Sequence, residues 1–326
     1  MTTYITKTNG LYGSLTLAKE NQVASILAAK GVLPMSFYYY NVAAEADAAL
    51  SARLDGILAA LSYGDDLVLQ LPTFMGSKFD QLLIQKFNVF RQSSASKLIF
   101  FVHDDLLTDP AMTANSDLVH FIDQADVLIV NSPATAQYLA DLGVSRHHYV
   151  FYHILDVPTR AYATLPAHYS PKINLIGQDS QEIADFDKAG FKVDVYGTDL
   201  EATDTVIPHS VALNDPRLPY ELAANGGWGV IMPHQKDNAY RTHYDLGIMI
   251  GAGLPIVALA GTPDAEWVEH YRLGFVSRSV DEAIQQITSC VERDYLRMRL
   301  SITDLAHLTE KGTFTSHAVS QAVRIK

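Results

Sequence analysis

Short runs of consecutive apolar residues, each followed by a helix-like stretch, set the limits on this fold. Leu98-Ile99-Phe100-Phe101-Val102 has no polar alternation, so both faces of that strand need cover. A parallel sheet clad by helices on both sides supplies it, and the same rhythm continues along the chain. Strands are predicted at 4–6, 35–40, 66–71, 97–102 and 127–130, with helices near 14–30, 47–62, 78–90, 116–124 and 133–142. One doubly wound α/β domain, 1–155, is then complete. Residues 156–171, with Pro158, Pro166 and Pro171, read as a connection, and a second α/β domain occupies 156–326. Its strands are expected at 172–176, 191–196, 228–232, 256–259 and 275–276, with helices near 181–189, 218–224, 242–252, 263–271, 280–308 and 315–325. The stretch between 196 and 213 reads as irregular, and the last helix is expected to pack back on the first domain.

The length of 326 residues favours two domains over one core. The balance of 24 basic against 36 acidic side chains, a formal charge of −12 without any basic run, argues against nucleic acid or an anionic membrane as main partner. Cys290, the single cysteine, excludes an internal disulfide and reads as a small buried residue on a helix, as expected in a reducing cytoplasm. The start MTTYITKTNG has no secretion pattern, and Gly251, Gly253 and Pro255 interrupt the longest apolar stretch, so no membrane span is expected. The expectation is a soluble cytoplasmic protein.

Within the second domain, 228–260 reads as buried strand, polar loop, buried helix, turn and buried strand. The loop carries Pro233, His234, Lys236, Asp237, Arg241, Thr242 and His243 where a strand's carboxyl end meets a helix amino end, the place where open α/β sheets bind ligands. Lys236, Arg241 and His243 with the helix amino end suit the charge that develops on a diphosphate leaving group. Surface ion pairs Lys236-Asp237 and Arg241-Asp245 explain the same residues almost as well.

Elsewhere the motifs mainly exclude. Asn9-Gly10-Leu11-Tyr12-Gly13-Ser14 lacks the GxGxxG spacing, although Gly10 and Gly13 permit a close backbone approach, and neither a GxxxxGK[ST] loop nor a GxSxG elbow occurs. His103-Asp104-Asp105 follows an apolar strand and stands at its carboxyl edge; a site and a solvated loop fit it equally. Asp185-Phe186-Asp187 has D-x-D spacing but falls in a predicted helix, where the two carboxylates diverge. Pro72-Thr73-Phe74 ends another strand with a hydroxyl and a ring of the kind that holds a sugar, or with an ordinary turn. Phe37-Tyr38-Tyr39-Tyr40 reads as a strand end packed on its neighbours.

Taken together, YITKTNG, QLPTFMGSKFDQLL (70–83), IFFVHDD (99–105), DVLIVNSPATAQYLADLG (126–143), YDLGIMIGAGLPIVA and LGFVSRSVDEA resemble the bacterial glucosyltransferases that extend O-linked N-acetylglucosamine on serine-rich-repeat adhesins. Galactofuranosyltransferase-like exopolysaccharide transferases are similar too. The resemblance implies a GT-B fold, two Rossmann-like domains facing a central cleft, with the acceptor on the first and a UDP-sugar on the second. It implies transfer of a hexose, glucose foremost, to a glycan or glycoprotein, with the UDP-sugar as co-substrate, no metal or other cofactor, and homo-oligomers. The site it implies has His103, Asp104 and Arg241 at the chemistry. Gly177, Gln178, Tyr196, Lys236, Arg241, Thr242, His243, Tyr244, Asp245 and Glu266 would meet the donor, and Gly13, Ser14, Thr16, Thr73 and Phe74 the acceptor. Two positions depart from the pattern: Asp245 stands where a Lys is common, and the loop 177–181, ending in Gln181, lacks an expected Arg. Both remove positive charge from a diphosphate pocket, and a catalytically silent partner-binding subunit is the alternative they support.

Overall fold

The computed structural model describes residues 2–10, 14–91, 95–103, 106, 116–145, 148–164, 169–177, 180–197, 202–232 and 244–325. They form two compact units, Met1–His153 with Thr315–Lys326, and Ile154–Phe314.

In the first unit six parallel strands, β1 (Thr3–Asn9), β2 (Leu33–Tyr38), β3 (Asp66–Leu71), β4 (Leu98–Val102), β5 (Val127–Val130) and β6 (His148–Phe151), lie in the order β2-β1-β3-β4-β5-β6. Every residue of β3, β4 and β5 is buried, as the unbroken apolar runs of β4 and β5 require, and β3 is apolar apart from Asp66 and Gln70. Helices α1 (Leu15–Ala28), α2 (Asp47–Leu58), α3 (Ser77–Arg91), α4 (Ser116–Ile122) and α5 (Pro133–Asp141) connect them. α3 buries Phe79, Leu83, Ile84 and Phe87, one stripe at helical spacing. α1 begins where the Ser14 hydroxyl accepts the Leu17 N–H. Residues 315–326 belong to this unit, where the Lys97 ammonium donates to the carbonyl of Val323.

The second unit repeats the architecture with another strand order. Here β7 (Ile173–Ile176), β8 (Val193–Tyr196), β9 (Val206–His209), β10 (Trp228–Ile231), β11 (Ile256–Leu259) and β12 (Gly274–Ser277) are parallel in the order β12-β11-β10-β7-β8-β9. The helices are α6 (Ala161–Thr164), α7 (Ser180–Lys188), α8 (Leu218–Asn225), α9 (Tyr244–Ala252), α10 (Pro263–Tyr271), α11 (Val280–Ser289) and α12 (Glu292–Glu310), with α13 (Thr313–Arg324) following. Leu246 to Ala252 are all buried in α9, so the apolar helix expected there is a core helix. Gly247 lets it approach so closely: a Cβ added there would stand 2.4 Å from the carbonyl oxygen of Leu155. Trp228 at the start of β10 is fully buried, stacked on Phe275 and edge-on to Tyr295.

Four sequence expectations change. β6 and β9 were not foreseen; β9 contains Pro208, which argues for a break, yet it is the sheet's edge strand, where a missing N–H is tolerated. The helix expected over 280–308 is two, because Cys290 and Val291 are extended and α12 starts afresh with Glu292 and Asp294 in its first turn. Cys290 is therefore a half-exposed cap residue rather than a buried helical one. Tyr38 and Tyr39 are exposed, and in that aromatic run Phe37 is the core residue.

Candidate active site

Strand order fixes where each sheet can hold a ligand. Adjacent parallel strands whose connections leave in opposite directions open a crevice outside their carboxyl ends. In the second unit that reversal lies between β7 and β10, and in the first between β1 and β3.

At the edge of the second unit, Gly177 follows β7 directly. Its N–H donates to the Tyr196 carbonyl at 2.9 Å, and its φ of +99° is a conformation that glycine adopts without strain. Among the described residues nothing lies within 4 Å of the place a Cβ would take, so glycine is required by backbone shape, and a ligand could approach this peptide closely. Asn174, buried in β7, donates to the carbonyls of Gly226 and Trp228 and so seats β10 beside β7. Chain direction then puts the amino ends of α9 and α10 at the same edge. Tyr244 and Asp245 form the first turn of α9, both half-buried, while Leu246 already faces the core. Glu266 is exposed in the first turn of α10, behind an N-cap in which the Thr262 hydroxyl donates to Leu259 and accepts from the Ala265 N–H. Gly177, Tyr244, Asp245 and Glu266 thus share one sheet edge.

Tyr196 has a different place from the one its candidacy suggests. Its ring is fully buried and stacked on His209 at 4.4 Å, and its hydroxyl accepts from Asn225 at 2.5 Å. Burial, foremost, raises its pKa. His209 is itself bonded to the buried Asp194 at 2.6 Å. The carbonyl of Tyr196 is the group nearest the edge, and it holds Gly177. Asp245, like Asp264 and Glu266 on α10, puts a carboxylate in a helix's first turn at this edge. A carboxylate in a helix's first turn interacts favourably with the helix dipole, the same field that would attract a diphosphate.

Gln178, Lys236, Arg241, Thr242 and His243 lie outside the described residues, as do Gly13 and Asp104 of the first unit. Gln181 is on α7, but its side chain is outside what is described. On α7 Phe186 enters the core between Asp185 and Asp187, and Asp187 accepts a hydrogen bond from Thr205. Among the described residues no group of three or more His, Cys, Asp or Glu side chains is placed to hold a metal ion.

In the first unit, the Thr8 hydroxyl donates to the Thr73 carbonyl at 3.2 Å across the crevice strands. Thr73 is buried and its hydroxyl is already engaged: it donates to Asp80 at 2.5 Å and accepts from the Met75 N–H at 3.2 Å. Phe74 beside it is half-buried with φ +60°, a left-handed conformation held inside this turn. Ser14 caps α1 and Thr16 is half-buried in its first turn. His103 follows β4 directly, its N–H bonded to the Leu71 carbonyl, its ring buried against Phe101 and its Nε2 3.0 Å from Oε1 of Gln70. Thr73, Phe74 and His103 therefore gather at the carboxyl ends of β3 and β4.

Asp80 and Gln70, which bond to the candidate residues Thr73 and His103, were missed by the sequence reading. Gln70 had a signal, being the one amide in the otherwise apolar buried run Leu67-Val68-Leu69-Gln70-Leu71. Asp80 had none, since its partner Thr73 is seven residues away across a turn.

Comparison with known proteins extends these observations to both units. Family models described as glucosyltransferase 3-like, N-terminal domain and C-terminal domain, match residues 2–154 and 173–322. A glucosyltransferase 3 of Streptococcus parasanguinis is 27% identical over 333 residues, covering 99% of this chain and 98% of that protein. Among solved structures, an α-glucosyltransferase in complex with UDP and a 13-mer DNA containing an HMU base superposes with a TM-score of 0.66 at 14% identity, over 100% of both chains. HepE of Anabaena in complex with UDP-glucose gives 0.65 at 12% identity, also over 100% of both. At such identities the likeness establishes fold, and the fold is the expected GT-B arrangement of two parallel six-stranded sheets.

Proposed function

Since the chain belongs to the glucosyltransferase 3-like family, we propose that it transfers a hexose, glucose foremost, from a UDP-sugar to a glycan or glycosylated protein. The observation that carries this reading is the extent of the family match, which takes in the sheet edges of both units. Solved relatives by fold were captured with UDP and UDP-glucose, which supports a uridine diphosphate donor for this chain.

In the mechanism proposed, the second unit takes the donor. The Gly177 peptide approaches the diphosphate, Glu266 bonds the ribose or the donor sugar, and Arg241 with Lys236 balances the charge that grows on the diphosphate as the sugar leaves. Thr242, His243 and Tyr244 complete that pocket, with Gln178 beside Gly177. Electrostatic stabilisation of a leaving diphosphate by fixed cations and amides needs no metal, and the UDP-sugar is the only co-substrate proposed. The first unit takes the acceptor, His103 and Asp104 orienting its hydroxyl, with Gly13, Ser14 and Thr16 along α1 and Phe74 covering the apolar face of a sugar ring. The protein acts in the cytoplasm as a homo-oligomer; among the described residues no helix is long and apolar enough to cross a membrane.

Calorimetric titration with UDP and UDP-sugars, paired with mass spectrometry of a glycan acceptor, tests this. UDP should bind, Arg241→Ala should weaken it about tenfold or more, and His103→Ala should leave UDP affinity intact while lowering transfer on the order of a hundredfold. Asp245 favours a second reading, a transferase fold that has lost its donor and binds a partner. Absence of binding by every UDP compound would overturn the transferase reading.

A further inference from the structure

We propose that Gln70 is a positioning residue for transfer: it fixes the proton of His103 on Nε2, which leaves Nδ1 as the ring nitrogen that accepts a hydrogen bond. This inference rests on the acceptor-side reading of His103 given above.

Gln70 is 1% exposed, and every polar atom of its side chain has a partner. Its amide nitrogen donates to the Thr6 carbonyl at 2.7 Å and to the Glu20 carbonyl at 3.1 Å. A primary amide has two N–H groups, and both are used on acceptors that cannot donate. Turning the amide over would put its oxygen against two carbonyl oxygens and its nitrogen against the ring, so the assignment of oxygen and nitrogen is fixed by chemistry. The oxygen at 3.0 Å from His103 Nε2 can only accept, and Nε2 must therefore carry a proton. A neutral ring so held has its lone pair on Nδ1. Whatever meets Nδ1 must then be a donor. A sugar hydroxyl can donate, whereas a carboxylate or a carbonyl cannot.

The same residue ties together the elements that bear the acceptor candidates. Its backbone N–H donates to the Thr6 hydroxyl of β1, its side chain to the carbonyls of Thr6 and of Glu20 in α1, and its oxygen meets the residue after β4. A leucine at position 70 would fill the space of the side chain and take away the acceptor at Nε2, while two backbone carbonyls would lose donors.

The experiment combines ¹⁵N resonance of the histidine rings, assigned by His103→Ala, with a double-mutant cycle on transfer. The full-length protein should show His103 as the Nε2–H tautomer alone at pH values above its titration, and Gln70→Met should give a mixture of both tautomers. Transfer should fall about tenfold in kcat in Gln70→Met, with the KM for the UDP-sugar unchanged, and the substitution should cost nothing further in a His103→Ala background. A proton on Nδ1 in the unaltered protein overturns the proposal. So does an equal loss with and without His103, which would make Gln70 a general support of the fold. Gln70→Glu, which keeps an acceptor toward Nε2, should retain the Nε2–H tautomer, and loss of it there also counts against the assignment. If the tautomer is as stated but His103→Ala leaves transfer intact, the acceptor reading fails and Gln70 has no positioning role.

Discussion

Asp80 shows how much one carboxyl can depend on its surroundings. Part of the residue reaches the surface, but the carboxyl itself is enclosed, and loss of water, foremost, lifts its pKa from 3.8 to about 7, against the opposing hydrogen bond from Thr73. A carboxyl whose pKa is higher folded than unfolded holds its proton more tightly in the native state. Its contribution to stability is therefore full below about pH 4 and is lost as pH rises towards 7 and beyond. Asp80→Asn keeps an oxygen for Thr73 and cannot ionise, so its stability relative to the parent should rise between pH 4 and pH 8 in urea unfolding. A gap that does not vary with pH would count against enclosure as the cause. Asp245 bears on the charge that a donor would meet in the second unit. Its carboxylate and a bound diphosphate would compete for the amino end of α9, so Asp245→Asn should tighten UDP binding about tenfold at low salt, with less gain at high salt. An unchanged affinity at both salt concentrations would place the diphosphate away from this helix.

Among the helices, α9 is packed closely against backbone. Gly247→Ala would press a methyl group to 2.4 Å from the Leu155 carbonyl oxygen and should cost about 1–3 kcal/mol in denaturant unfolding. Gly56 in α2 has open space at its Cβ position, and Gly56→Ala should instead stabilise by about 0.5–1 kcal/mol. If the two substitutions acted alike, close packing of α9 would not be what Gly247 serves. The elements most legible in the sequence were those whose burial is complete. β4 and β5 are unbroken apolar runs, β3 is one apart from Asp66 and Gln70, and α9 is one from Leu246 to Ala252; such runs have one solution in a layered α/β fold. The exposed edge gave weaker signals, because β9 is held by its neighbour β8 more than by its own residues, Pro208 among them. Residues 280–310 kept a helical period across the extended pair Cys290-Val291, and periodicity alone does not mark where one helix stops and the next resumes. Site residues followed the same division. That Glu266 and Tyr244 stand at helix amino ends can be read from strand–loop–helix order, whereas the Gln70–His103 and Thr73–Asp80 contacts arise only when separate segments meet.

At the scale of the whole molecule, both units use parallel sheets of six strands, yet their chain reversals fall in different places, between β1 and β3 in one and between β7 and β10 in the other. Ligand binding should therefore register unevenly along the chain. In hydrogen exchange, UDP should slow exchange of backbone amides at Gly177, at the start of α9 and at the start of α10, and leave the edge strand β2 unchanged. Protection confined to residues 2–153 would reverse the assignment of donor and acceptor units. The position of β7 has a further outcome for biosynthesis. A nascent chain that has emerged as far as Asn225 contains β7, β8 and β9 but not β10, the strand that flanks β7 on its other side. Until β10 and α9 leave the ribosome, the donor edge has only one of its two walls. On the proposed donor reading, nucleotide affinity would appear only late in the synthesis of this unit, and growing chains would not withdraw UDP-sugar from the cell's supply.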